Sequence, residues 1–225
     1  MIAQVLMWSE VWALLIPLAI IFIFRMMGKG MRPVVLYVII AFVLNLAATL
    51  ISFYRNSLPP VLQNNHILYN LHSMARVLFF GWYILSLKLI RSSWLSKIII
   101  PAYIIFLLIN FIFFESLLHL STLLLSVESI VLLIICLFFF IRSMQDESDI
   151  NWLKHPSFLI CISISLYEAI NFFIFLFFYP LLESNLAFGL LTMKIFSVSY
   201  IILCILLALA MRKSHKDQLA SGDTT

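Results

Sequence analysis

The sequence predicts an all-α polytopic membrane protein built from seven transmembrane helices, and three observations carry that prediction. Hydrophobic residues fill 64% of the 225 positions and charged residues only 11%, with a mean hydropathy of +1.12, whereas about a quarter of the residues in a soluble domain are charged. The apolar residues come in runs of about 20, the length at which an α-helix spans hydrocarbon. Lys and Arg gather in alternate connections between those runs, as the orientation rule for membrane helices demands.

The runs place helices at 4–24, 33–54, 67–90, 98–114, 117–141, 157–181 and 186–211. The first begins after Met1-Ile-Ala-Gln, which carries no base; without a basic n-region it is read as a span of the mature chain, not a cleaved signal. Within it Glu10 sits between Trp8 and Trp12, a position open to two readings, a member of the polar site or a residue of an interfacial aromatic belt, with the belt slightly preferred. The second run presents Asn45, Thr49 and Ser52 on one face, and the third presents Tyr69, His72, Arg76, Phe80 and Tyr83, because helical residues three, four or seven apart share a face. Glu115, Ser116 and His119 divide the fourth run from the fifth; one unbroken helix of that length would overrun a bilayer. The fifth holds Glu128. The sixth aligns Cys161, Ser165, Glu168 and Asn171, and its stretch from Phe172 to Phe178 reads as lipid contact and core. The seventh sets Lys194 on the face of Ser197.

Counted by connection, Arg25, Lys29, Arg32, Lys88, Arg91, Lys97, Arg142, Lys154, Arg212, Lys213 and Lys216 fall on one side, and only Arg55 flanks the other. The N-terminus is therefore expected outside and the C-terminus in the cytoplasm of a cell inner (plasma) membrane. The acidic connection Asp146-Glu147-Ser148-Asp149 reads as a solvated connector, and 212–225 as a disordered tail following a single transmembrane domain over 1–211. Topology explains the net charge of +4 without a nucleic-acid partner. No loop is long enough for a soluble domain, and five glycines form no phosphate loop. Cys136, Cys161 and Cys204 lie within spans and read as packing residues. His72 and His119 without a supporting carboxylate do not make a metal site, and no cofactor is predicted.

The functional signal is the charge inside the spans. Arg76, Glu128, Glu168 and Lys194 each interrupt a lipid-compatible run, at a cost on the order of 3 kcal/mol each on the mildest scale; such residues normally face a bundle interior and mark a binding or conduction site. At about 1.5 Å per residue, Arg76 and Lys194 lie roughly 12–13 Å below the outer surface, with the two glutamates nearer the midplane. If the four converge, their charges sum to zero.

The chain also repeats. An offset of 118 lays Glu10 on Glu128 and Arg76 on Lys194, and a slightly longer one lays Asn45 on Asn171. Residues 4–90 and 117–211 are thus parallel repeats around a linker helix at 98–114.

This three-plus-one-plus-three order resembles the SWEET and PQ-loop transporters, although the chain has no Pro-Gln pair. In that family the third and seventh helices supply polar groups to the substrate site; Arg76 and Lys194 stand in the comparable places as cations, which argues against a neutral sugar. The helix count, Arg76 and Lys194 give a more distant resemblance to microbial rhodopsins, but the run after Arg76 lacks their acid and Thr-Thr-Pro. Leu68-Tyr69, His72, Glu128-Ser129, Phe158 and Tyr167 resemble seven-helix inner-membrane proteins of Gram-negative bacteria, a likeness that assigns no activity.

The expected site is therefore a polar pocket in the outer half of the bundle, lined by Arg76, Glu128, Glu168, Lys194, His72, Asn45, Asn171 and Tyr69. It would bind and transport a small polar or charged molecule. The alternatives are a receptor signalling to a cytoplasmic partner and, less well supported, an intramembrane enzyme using Ser165 and Glu168. Homo-oligomers are compatible with this reading.

Overall fold

The computed structural model describes residues 8–25, 30–59, 63–91, 94–146, 154–184 and 186–221, and they contain helices and connections but no strand. The N-terminal tetrapeptide, Lys29, Glu147 to Asp149 and 222–225 lie outside the described residues. In chain order the helices are α1 (Ser9–Trp12), α2 (Leu15–Phe24), α3 (Arg32–Phe53), α4 (His66–Ser86), α5 (Lys88–Arg91), α6 (Leu95–Ile109), α7 (Thr122–Gln145), α8 (Pro156–Ser184) and α9 (Leu186–Ser221).

Among the described residues, five stretches are long and apolar enough to cross a membrane: Arg32–Phe53, Lys97–Phe114, Thr122–Gln145, Pro156–Phe177 and Gly189–Leu219. Their outward faces carry Phe22, Phe53, Ile112, Phe113, Phe114, Leu137 and Phe173 exposed. Water would penalise so large an apolar surface and lipid does not, so this is an integral membrane protein. The two remaining expected spans differ from the five for local reasons. Pro17 has no N–H to bond the carbonyl of Ala13, and the chain breaks there between α1 and α2, leaving a shorter apolar helix, Ser9–Phe24. In α4, His66, Asn70, His72, Ser73 and Arg76 lower the mean hydropathy, yet four of the five are buried: this helix turns its polar stripe inward.

Packing runs in a ring. The α1/α2 segment packs on α3, α3 on α4, α4 on α7, α7 on α8, α8 on α9, and α9 back on α1 and α2. Helix α6 stands outside the ring against α4 and α7, admitted by Gly81, where an added Cβ would lie 2.8 Å from Ile100 Cδ1. Tyr103 and Asn110 are its buried contacts.

The hairpin between α6 and α7 forms where Glu115 and Ser116 interrupt the apolar run. A π turn over Asn110–Phe114 closes with Glu115 N–H donating to Asn110 O at 2.8 Å. Asn110 Nδ2 donates to the Glu115 carboxylate at 3.1 Å, and Ser121 Oγ donates to it as well. Buried Asn70 of α4 holds the loop, donating to Leu117 O at 3.1 Å and His119 O at 2.9 Å and accepting from Ser121 N at 3.2 Å. Ser121 also caps α7 by accepting from Leu124 N.

Helix α9 differs from expectation at its far end. The sequence predicts disorder from Arg212, but the helix continues to Ser221. His215 packs on Phe24, ring centroids 4.7 Å apart and tilted, giving the extension a packing partner.

Candidate functional site

Arg76 is the centre of the bundle's polar interior. Helix α4 buries it to 3% exposure, and α7 and α8 bring Glu128 and Glu168 to it, each fully buried. Arg76 Nη1 lies 3.1 Å from Glu128 Oε1 and 3.4 Å from Glu168 Oε1. Each carboxylate has a hydroxyl donor on its other oxygen: Ser73 Oγ donates to Glu128 Oε2, and Ser129 Oγ donates to Glu168 Oε2 at 2.7 Å. The guanidinium carbon stands 4.7 Å over the Tyr167 ring, a cation–π contact strengthened by the dry surroundings. Arg76 Nε and the Tyr167 and Tyr103 hydroxyls have no hydrogen-bond partner among the described residues.

One turn before Arg76 on α4, His72 Nε2 meets Tyr37 Oη at 3.2 Å with the two rings stacked, and Tyr37 also packs on Phe80, centroid to centroid 4.3 Å. Tyr200 closes against His72 and Tyr167.

A cavity of about 390 Å³ descends to this cluster from the end of the bundle that holds Glu10. Its walls are mainly apolar and aromatic, with Leu125, Ile174, Phe175, Met193 and Phe196, while Glu10, Tyr69, His72 and Arg76 supply the polar groups. That size, and that balance of apolar wall to few polar groups, are typical of small-molecule sites. The Tyr69 hydroxyl faces the Glu10 carboxyl. His66 forms a shared wall between this cavity and a shallower polar cleft lined by Arg55, Gln63, Asn64, Asn65 and His119. Burial, then the neighbouring His119 and Arg55, hold the His66 imidazole below its usual pKa.

Of the expected site residues, the structure brings Arg76, Glu128 and Glu168 together and puts His72 and Tyr69 beside them. Asn45 and Asn171 are buried next to the site and not on its wall. Asn45 Nδ2 donates to Tyr200 Oη at 3.1 Å and to the backbone oxygen of Glu10 at 3.3 Å. Asn171 Nδ2 donates to Tyr167 O at 2.7 Å and Ser199 Oγ at 3.3 Å. Both fix helix register.

Lys194 does not join them. It is exposed on α9 and forms no ion pair with Glu128 or Glu168 among the described residues. The polar residues near it point two ways, Ser197 beside it and Thr192 and Ser199 on the opposite, buried side, so sequence spacing did not settle which face it takes, and its long stem lets the ammonium leave an apolar surface. Glu10 moves the opposite way, from a presumed interfacial belt to the cavity wall. Phe175, read as lipid contact or core, lines the cavity too.

His119 lines the polar cleft and His72 the cavity, and among the described residues no three His, Cys, Asp or Glu side chains converge to hold a metal ion. Cys136, Cys161 and Cys204 are buried free thiols. Sequence reasoning did not place Ser73, Tyr37, Tyr200 or Phe196 at the site. Only Ser73 carried a usable signal, lying three residues before Arg76 on the same helix face. No protein-family model, curated protein or solved structure matches the chain.

Proposed function

We propose that this protein is a carrier in a cell's inner membrane, taking a small molecule into the cavity beneath Glu10 and coupling its passage to protons held among Glu128, Glu168 and Arg76. One observation carries the reading: the cavity leads from one end of the bundle to a fully buried guanidinium held by two carboxylates. Residues of this kind inside membranes are costly and are kept where ions or substrates pass.

The packing order supports the repeat. Exchanging the first helical segment with α7, α3 with α8 and α4 with α9 maps every contact of the ring onto another, as a two-fold axis along the membrane normal requires. The linker α6 lies outside that ring. With seven spans and an external N-terminus, the cavity opens outward, and rocking the two triplets about Arg76 would expose it inward.

The test is flux into proteoliposomes enclosing a pH-sensitive dye, with a panel of small cations, anions and zwitterions added outside. Wild type is expected to acidify the lumen with at least one of them, whereas Glu168→Gln, with a neutral isostere that still accepts from Ser129, folds but loses the pH-linked uptake. Wild-type coupling in that variant would refute the proton role.

A sensor is the second reading, favoured by the length of α9. At about 1.5 Å per residue, its 36 residues span about 54 Å, more than the roughly 30 Å of hydrocarbon, and the surplus could carry a helix shift to a cytoplasmic partner. Ligand binding without flux selects that reading.

A further inference from the structure

The geometry points to a small organic cation, an alkylated or quaternary ammonium with an apolar body, as the ligand of the cavity, its charge lying between Glu10 and the rings of Tyr69, Phe175 and Phe196. The inference rests on reading the cavity as a ligand site and names what that site selects.

Charge arithmetic comes first. With Lys194 exposed on α9, the polar interior formed by the described residues holds one cation, Arg76, against the carboxyls of Glu10, Glu128 and Glu168. Arg76 is committed to the two deeper acids through Nη1 and to the Tyr167 face. Glu10 has the Tyr69 hydroxyl beside it but, among the described residues, no Lys or Arg in ion-pair contact. An anion entering the cavity would meet Arg76 already neutralised and Glu10 opposing it. A cation meets the reverse.

The walls make the second argument. Phe175 and Phe196 stand edge to face at 5.8 Å and Phe196 also packs on Tyr167 at 6.2 Å, so one side of the cavity is a fixed aromatic surface, and Tyr69 adds a ring beside Glu10. Aromatic faces attract poorly hydrated alkylammonium groups, the more so when water is excluded. Leu125, Ile174 and Met193 offer an apolar bed for the rest of the molecule. Glu10 is held in place on α1, where Asn45 Nδ2 of α3 donates to its backbone oxygen at 3.3 Å.

The test uses radiolabelled phenyltrimethylammonium, whose charge is independent of pH, binding to the full chain in lipid nanodiscs, with benzenesulfonate as a competitor of similar size and opposite charge. Wild type should bind the cation saturably and benzenesulfonate should not displace it. Glu10→Gln should weaken binding about tenfold, the scale of a lost desolvated charge contact, and Phe196→Leu, which leaves every charge in place, should weaken it several-fold. Absence of saturable binding, unchanged binding in Glu10→Gln, or displacement by benzenesulfonate would each overturn the assignment. If Glu10→Gln does not fold, Phe196→Leu decides. Cation binding with no flux in liposomes would overturn the carrier and keep this site; flux of another solute with no cation binding would do the reverse.

Discussion

Replacing Arg76 by Met should be the most damaging single change in the bundle, and the structure sets its size. The substitution keeps much of the aliphatic volume but removes the cation that lies 3.1 Å from Glu128 and 3.4 Å from Glu168, the only one paired with them among the described residues, and it ends the stacking on Tyr167 at 4.7 Å. Removing one member of a buried pair costs about 3–5 kcal/mol, because the charge left behind has neither water nor partner. Ser73 and Ser129 still donate to the stranded carboxylates, which favours the lower end. For a chain of this length each kcal/mol moves Tm by about 2–4 °C, so a loss of about 3 kcal/mol lowers Tm by roughly 6–12 °C. The three buried thiols, Cys136, Cys161 and Cys204, provide the assay: a maleimide dye that fluoresces on thiol reaction reports unfolding of the detergent-solubilised protein. Adding Glu128→Gln and Glu168→Gln to the Arg76→Met variant removes every stranded charge while leaving acceptors for both serines. Since a buried ion pair replaced as a whole is often near neutral, the triple variant should regain most of the loss. A single variant within about 2 °C of wild type, or a triple variant no better than the single, would refute the claim that these charges stabilise one another.

Two further outcomes test the edges of the fold. Ser157 N donates to His155 Nδ1 at 3.3 Å at the start of α8, and burial is the main force holding the His155 imidazole below its usual value, opposed by Asp217 and aided by Lys213; stability from the neutral ring should therefore be complete above the unfolded pKa of about 6.5 and decline as pH falls below it. In thiol-dye melts between pH 7.5 and 5.5, His155→Asn, which keeps a capping acceptor but cannot titrate, should show a shallower decline than wild type, and an identical slope would sink the assignment. Lys194→Gln should leave Tm within about 1 °C and leave cation binding unchanged, as expected of an exposed position away from such features; a large loss of either would return Lys194 to the site.

The helices were legible because a bilayer leaves few alternatives for an apolar run of about 20 residues. Where the reading weakened, a particular residue explains it. The break after Ala13 follows from Pro17, which sits in an apolar run whose hydropathy alone conceals it. The extension of α9 past Arg212 was hidden by composition, since a basic polar segment looks disordered until Phe24 is found against His215. The hairpin at Glu115 was correctly divided, but its clasp was not foreseen: Asn70 lies far from it in sequence and meets it only through folding.

The site divides along the same physical line. Helix α4 alternates sharply between polar and apolar faces, so spacing placed Arg76, His72 and Tyr69 on one stripe, and the structure turns that stripe inward. On α9 the polar residues near Lys194 point to more than one side, Ser197 beside it and Thr192 and Ser199 opposite, so spacing does not fix its facing, and Lys194 was assigned by the demand for neutrality instead. That demand was physically sound and its solution was wrong. With Lys194 on the outside and Glu10 on the cavity wall, the interior has more acid than base, and an uncompensated buried charge is too costly to persist. In the proposed reading, a proton shared by Glu128 and Glu168 would answer it at the floor of the cavity, and a cationic ligand at Glu10 would answer it at the wall. Because Arg76 lines the cavity together with Glu10 and also pairs with both deeper acids, filling one should change the other: binding of phenyltrimethylammonium should release or take up protons in unbuffered solution, and the Glu168→Gln variant should bind the cation with an altered proton count. Equal proton release by wild type and variant would mean that the wall and the floor act independently.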